Sequence, residues 1–218
     1  MAKEIAKKET QLSGLTPVVK GDIEGLTGGG NYLPQIRIMA FTSSAVQDDK
    51  IKAGHFALVT GDIIDLGTSF DCIPLDYRTK ATRNTDDDGF MVTWDKGTPL
   101  WNDIKRLALE GTQDEKMSNS YGIEFLMWLP EHGYVTYFAN SKTARTSSTA
   151  LLTLTEARRV THFETKLLEK GKYKWFGPIH TPASVPMVTL PITKEAQEKL
   201  DWYQAQTNTE VAEESSRD

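Results

Sequence analysis

The chain has 218 residues, 39% of them hydrophobic and 25% charged, with a formal net charge of −5 and one cysteine. This composition suits a globular protein with a substantial core and excludes collagen-like and wholly unfolded chains. No apolar run approaches the roughly 20 residues of a membrane-spanning helix, and the lone Cys72 excludes an intramolecular disulfide framework or a cysteine-rich zinc module.

Residues 1–32 read as a flexible arm. They are polar at first and then rich in glycine and proline, which favours turns over packed elements. The triple glycine Gly28-Gly29-Gly30 lacks the following Lys-Ser/Thr of a phosphate loop. The first residues carry no apolar segment, so a secretory leader is not expected and a cytoplasmic location is the default.

From Leu33 the pattern turns to strands. Ile36 and Ile38 share one face, with Gln35 and Arg37 on the other. Residues 55–59 and 63–66 flank Thr60-Gly61-Asp62, a hairpin signal. Residues 69–83 alternate over one long strand, Asn84 to Gly89 supply a turn, and residues 90–94 return. Residues 99–109 change to helical spacing, with Pro99 suited to the first turn and Gly111 to the stop. Trp101 is expected to pack this helix onto the sheet.

Two further hairpins are expected around Pro130-Glu131-His132-Gly133 and around Glu169-Lys170-Gly171-Lys172. Between them residues 141–154 read as a helix, and residues 193–206 as a last one. Residues 207–218 are polar and acidic, hence a disordered tail. The sum is seven or eight strands and three short helices joined mainly by hairpins. That predicts a mainly β (α+β) fold over residues 33–206, an antiparallel β-barrel between flexible termini.

Metal and nucleophile motifs are weak. The four histidines are scattered, with no H-E-x-x-H or C-x-x-C, and no G-x-S-x-G occurs. Cys72 sits mid-strand beside Asp71, where burial rather than reactivity is expected. Asp86-Asp87-Asp88 reads as a charged hairpin tip. With Glu164-Thr165-Lys166 it offers the best enzyme alternative, a Mg²⁺-dependent nuclease, although so short a pattern is easily met by chance. No cofactor is implied.

The stronger pattern is charge with rings. Residues 141–175 hold eight basic and three acidic side chains inside an otherwise acidic chain. Arg78, Lys80 and Arg83 precede the turn that leads to Trp94. Lys142 and Arg145 begin a helix, and Lys172 and Lys174 alternate with Tyr173 and Trp175. Cations that track phosphates, interleaved with rings that stack on unpaired bases, are the chemistry of single-strand binding. These ten residues are the candidate nucleic-acid-binding set, and the protein is expected to be no enzyme. An alternative is a virion structural or host-protein-interacting β-protein, using the uncharged Pro-rich residues 176–192 to lie in a partner's groove.

The order of parts resembles tailed-phage single-stranded-DNA-binding proteins of the OB-fold type. The resemblance lies in a Gly-rich arm before residues 33–38, strands carrying Arg78, Lys80, Arg83 and Trp94, and the acidic end Glu210-Val211-Ala212-Glu213-Glu214. It implies an OB-like barrel that binds single-stranded DNA in phage replication or recombination, in the host cytoplasm and without a cofactor. It further implies contacts with replication or recombination proteins through the acidic tail, and a dimer is compatible with it. The chain departs from the pattern by ending Ser216-Arg217-Asp218 rather than in an aromatic residue.

Overall fold

A computed structural model describes residues 15–18, 33–60, 62–85, 89–184 and 194–205. Most of the expected arm, the Asp86-Asp87-Asp88 tip, the later part of the Pro-rich stretch and the acidic tail lie outside these residues. The fold is mixed α/β, with ten strands and five helices among the described residues.

The hairpins fall where turn residues and alternation place them. Strands β3 (Phe56–Val59) and β4 (Ile63–Gly67) pair antiparallel, as do β5 (Ser69–Thr85) and β6 (Gly89–Thr93). So do β7 (Asn119–Leu129) with β8 (Gly133–Ala139), and β9 (Thr161–Lys170) with β10 (Tyr173–Pro182). In the last turn Gly171 takes φ +61°, the left-handed backbone a tight hairpin needs. Strand β5 runs 17 residues because it serves three partners. Its first residues pair with β9 and its remainder with β7 and β6. The register shifts between Pro74 and Asp76, where proline has no N–H to give the ladder.

The expected barrel does not close. The strand order is β1 (Leu15–Val18), β6, β5, β7, β8, β2 (Gln35–Ile38), β3, β4, with no pairing between β1 and β4 among the described residues. Two pairings account for the open form. Strand β2 joins β8 in parallel, which hairpin logic does not supply, and β9–β10 branches off the start of β5 as a ribbon.

Five helices replace the expected three. Helix α2 (Pro99–Glu110) has Thr98 as N-cap, its hydroxyl accepting from the Trp101 N–H, and Pro99 in the first turn. Helix α4 (Lys142–Glu156) is capped by Ser141 in the same way, and α5 (Lys194–Ala205) ends the described chain. The two additional helices, α1 (Ser44–Gln47) and α3 (Gln113–Ser118), are too short to show a period. In α3 a capping box of Thr112 and Glu115 does the work instead.

The main core lies between the sheet, the ribbon and α4. Ile36, Phe56, Phe125, Tyr137, Leu151 and Phe163 interlock there, and the Phe70 and Phe163 rings stack at 5.0 Å. Cys72 is buried in this cluster with its Sγ 3.7 Å from the Met127 Sδ, and burial pushes its thiol well up, as its sequence setting predicts. Trp101 packs α2 on the sheet against Ala81, Ile104 and Tyr121. A smaller cluster of Leu126, Leu200 and Tyr203 seats α5.

His180 is enclosed between the Phe163 ring, 4.4 Å away, and Tyr137, with its Nδ1 3.2 Å from the Ser147 carbonyl oxygen. Burial outweighs that hydrogen bond and lowers its pKa to about 4. An unfolded chain therefore takes up this proton first, and stability falls as pH drops from 6.5 towards 4. The slope from this group is up to about 1.4 kcal/mol per pH unit. Urea unfolding of His180→Phe at stepped pH should show a shallower loss than the parent over that window; an equal loss would assign the acid sensitivity elsewhere.

Candidate nucleic-acid interface

A groove of about 870 Å³ opens where the end of the sheet meets the ribbon and the start of α4. Strand β2 contributes Arg37, and the chain after it Phe41. Lys80 comes from β5, Phe90 from β6 and Phe138 from β8. Lys142 and Thr143 come from the first turn of α4, and Lys174, Trp175 and Phe176 from β10. Four cations and a set of rings line this space, and among the described residues no Asp or Glu does. Its lining reaches the main core at Ile36, Tyr137 and Ala144.

Local contacts fix the rings. Trp175 is 36% accessible, and its indole N–H donates to the Thr143 hydroxyl at 3.0 Å. Gly177 lies so close to Thr143 that a Cβ there would stand 2.6 Å from its methyl group. The ribbon and α4 are thereby held together at the groove wall. Phe41, 48% exposed, packs against Phe176 at 5.1 Å between ring centroids. Phe176 in turn lies over Gly54, which takes φ +84° and would place a Cβ 2.5 Å from the ring. Only glycine satisfies both demands.

The ten sequence-predicted residues divide into groups. Lys80, Lys142, Lys174 and Trp175 line the groove. Lys172 and Tyr173 lie beyond it at the ribbon's tip, where Tyr173 is 67% exposed with the Lys172 ammonium 5.5 Å from its ring centre. The other four are engaged inside the protein. Arg83 binds Asn119 and pairs with Asp103 of α2 at 2.5 Å. Arg145 sits 4.2 Å over the Tyr121 ring and donates to the Tyr121 and Asn140 carbonyls. Arg78 and Trp94 converge on Glu124.

Glu124 is 2% exposed, on β7 directly opposite Arg78. Arg78 binds its Oε2 at 2.6 Å, Lys80 binds Oε1, and the Trp94 indole N–H lies 3.4 Å from Oε2. Burial pushes this carboxyl up, but the adjacent Lys80 and Arg78 outweigh it and hold it below the usual range. Lys80 consequently enters the groove as a partly compensated cation, its ammonium 5.3 Å from the Phe138 ring centre. Lys174 likewise pairs with Glu169 at 2.9 Å.

Sequence reading missed Arg37, Phe41, Phe90, Phe138 and Phe176 as a set. Arg37 was visible on the polar face of its strand and Phe176 beside Trp175. What brings them together is the parallel β2–β8 pairing and the ribbon, neither of which leaves a local signal. Elsewhere, His55 and His162 each bind a carboxylate, Asp65 at 2.9 Å and Asp71 at 2.6 Å. No three or more His, Cys, Asp or Glu gather as metal ligands among the described residues.

Replacing Glu124 by Gln leaves two largely buried cations without their counter-charge. The loss of unfolding free energy in urea should be about 3–5 kcal/mol; a loss below 1 kcal/mol would mean that Arg78 and Lys80 find other partners.

No protein-family model, curated protein or solved structure matches the chain, so what it binds must be read from the groove's own chemistry.

Proposed function

We propose that the protein binds single-stranded DNA in this groove and performs no chemistry on it. One observation carries the reading: four cations and several rings from five strands and a helix start share one cleft that no carboxylate among the described residues lines. Ammonium and guanidinium groups neutralise phosphates, and rings such as Phe41 and Trp175 offer faces to unpaired bases. The first turn of α4 adds the positive end of a 15-residue helix to the same wall.

This reading moves the binding surface from the face of an OB-like barrel to the end of an open sheet. The setting implied by the resemblance, coating of unpaired strands during phage replication or recombination in the host cytoplasm, suits such a cleft. Replication or recombination proteins remain the partners proposed for the acidic tail, with dimerisation compatible. The nuclease alternative rests on Asp86-Asp87-Asp88, which lie outside the described residues, and on Glu164-Thr165-Lys166. Glu164 and Lys166 are exposed on β9 and do not line the groove. The peptide-like alternative loses part of its basis, since Phe176 to Pro182 form strand β10 rather than a free Pro-rich segment.

Anisotropy of a labelled oligothymidylate at low salt tests the proposal. Binding should weaken as salt rises, and Lys142→Ala should reduce the slope of log affinity against log salt by about 0.7. Trp175→Ala or Phe41→Ala should weaken binding by roughly 5- to 150-fold, the equivalent of one lost stack of about 1–3 kcal/mol. Undetectable binding at low salt, or groove variants indistinguishable from the parent, would overturn it.

A further inference from the structure

Arg78 and Lys80 stand two residues apart on one face of β5, so they form a short cationic row along the strand. Lys80 lines the groove, whereas the Arg78 side chain is only 8% exposed. The difference is helix α5. The Tyr203 ring lies 3.8 Å from the guanidinium, the Trp94 ring lies 4.4 Å from it, and the Tyr203 carbonyl accepts from Arg78 Nη1 at 2.6 Å. Tyr203 thus occupies Arg78 with a carbonyl oxygen and a flat ring, the two kinds of group that a nucleotide would bring.

The hold of α5 on the sheet is narrow. Of its 12 residues Leu200 and Tyr203 are buried and Trp202 is partly buried beside them, against Leu126 and the margins of Leu33, Leu75 and Tyr134. Polar bonds assist: the Tyr203 hydroxyl donates to the Glu124 carbonyl at 2.9 Å, the Tyr203 carbonyl accepts from Arg78, and Gln204 donates to Asp76 at 3.0 Å. Glu124 is held from the sheet side by Lys80 and Arg78, so the row beneath keeps its geometry if the helix leaves.

We propose that α5 is a displaceable cover over an extension of the binding groove. Building on the single-strand reading above, a strand long enough to run past Lys80 competes with the Tyr203 carbonyl for Arg78 through a phosphate, and with the Tyr203 ring through a base. A short oligonucleotide fills only the groove and leaves α5 seated. A longer one gains Arg78 and Trp94 only in the uncovered state, and that differential affinity is what shifts the population.

Hydrogen exchange on the full chain separates the outcomes. An oligothymidylate of about 5 nucleotides should protect β10 and the start of α4 while leaving α5 unchanged, and one of about 16 should add faster exchange in α5, by roughly tenfold. In parallel, Tyr203→Ala should bind the longer strand roughly tenfold more tightly, with a salt slope steeper by about 0.7, and the shorter one as the parent does. If β10 becomes protected but α5 exchanges at the same rate or more slowly with the longer strand, the cover is disproved and the groove stands. If β10 is protected by neither, the groove reading fails and the cover falls with it.

Discussion

The buried carboxylate of Glu124 is the constraint around which this molecule is arranged. Taking an ion out of water costs several kcal/mol, recovered only when opposite charge and hydrogen bonds surround it closely. Here the cross-strand register puts Arg78 directly opposite, Lys80 reaches the second oxygen, and the Trp94 indole faces the first. Each partner then has a fixed direction. Lys80 is turned towards the groove, Arg78 lies against the Trp94 and Tyr203 rings, and the Tyr203 hydroxyl closes on the Glu124 main chain. Groove and C-terminal helix are thus tied to one carboxylate. A substitution there acts on both.

The groove is assembled from elements that the chain supplies far apart. Its rings are held in place by neighbours: Trp175 through Thr143, and Phe176 by the bare backbone of Gly54 and by the Phe41 ring. Ordering a flexible side chain on binding costs about 0.5–1.5 kcal/mol, so rings already fixed retain more of their stacking free energy. Arg37 shows the same economy on the polar side, its Nε already bound to Gln35 at 2.8 Å. Its outer nitrogens are thereby carried at a defined height above β2.

What could be read in the sequence follows from how local each determinant is. The four hairpins were legible because alternation with a period of two meets turn residues at Gly61, Gly89, Gly133 and Gly171. Helix α2 was legible from Pro99 and its apolar spacing. The parallel β2–β8 contact and the departure of β9 from the start of β5 join residues about 100 apart, and no local pattern encodes them. Those two contacts separate an open sheet from a barrel. The candidate site divides along the same line. Lys142, Lys174 and Trp175 sit on exposed elements and lie where charge alternation suggested. Arg78, Arg83 and Arg145 look equally solvated in sequence, yet Glu124, Asp103 and the Tyr121 carbonyl claim them, because the acids lie on other strands and helices.

A net charge of −5 would seem to repel a polyanion, and the range of the field decides otherwise. At physiological salt, charges separated by more than about 8 Å are largely screened from one another. A phosphate inside the groove would therefore respond chiefly to Arg37 and Lys142, to Lys80 and Lys174 as offset in part by Glu124 and Glu169, and much less to acids on distant faces. Long-range steering, which depends on the summed charge, gains nothing from such a chain. On the proposed single-strand reading, such a groove would hold its ligand through close contacts, and differences in affinity among variants would belong to dissociation more than to encounter. Rings preset on the groove wall, beside cations already anchored by their neighbours, are the arrangement that slows departure.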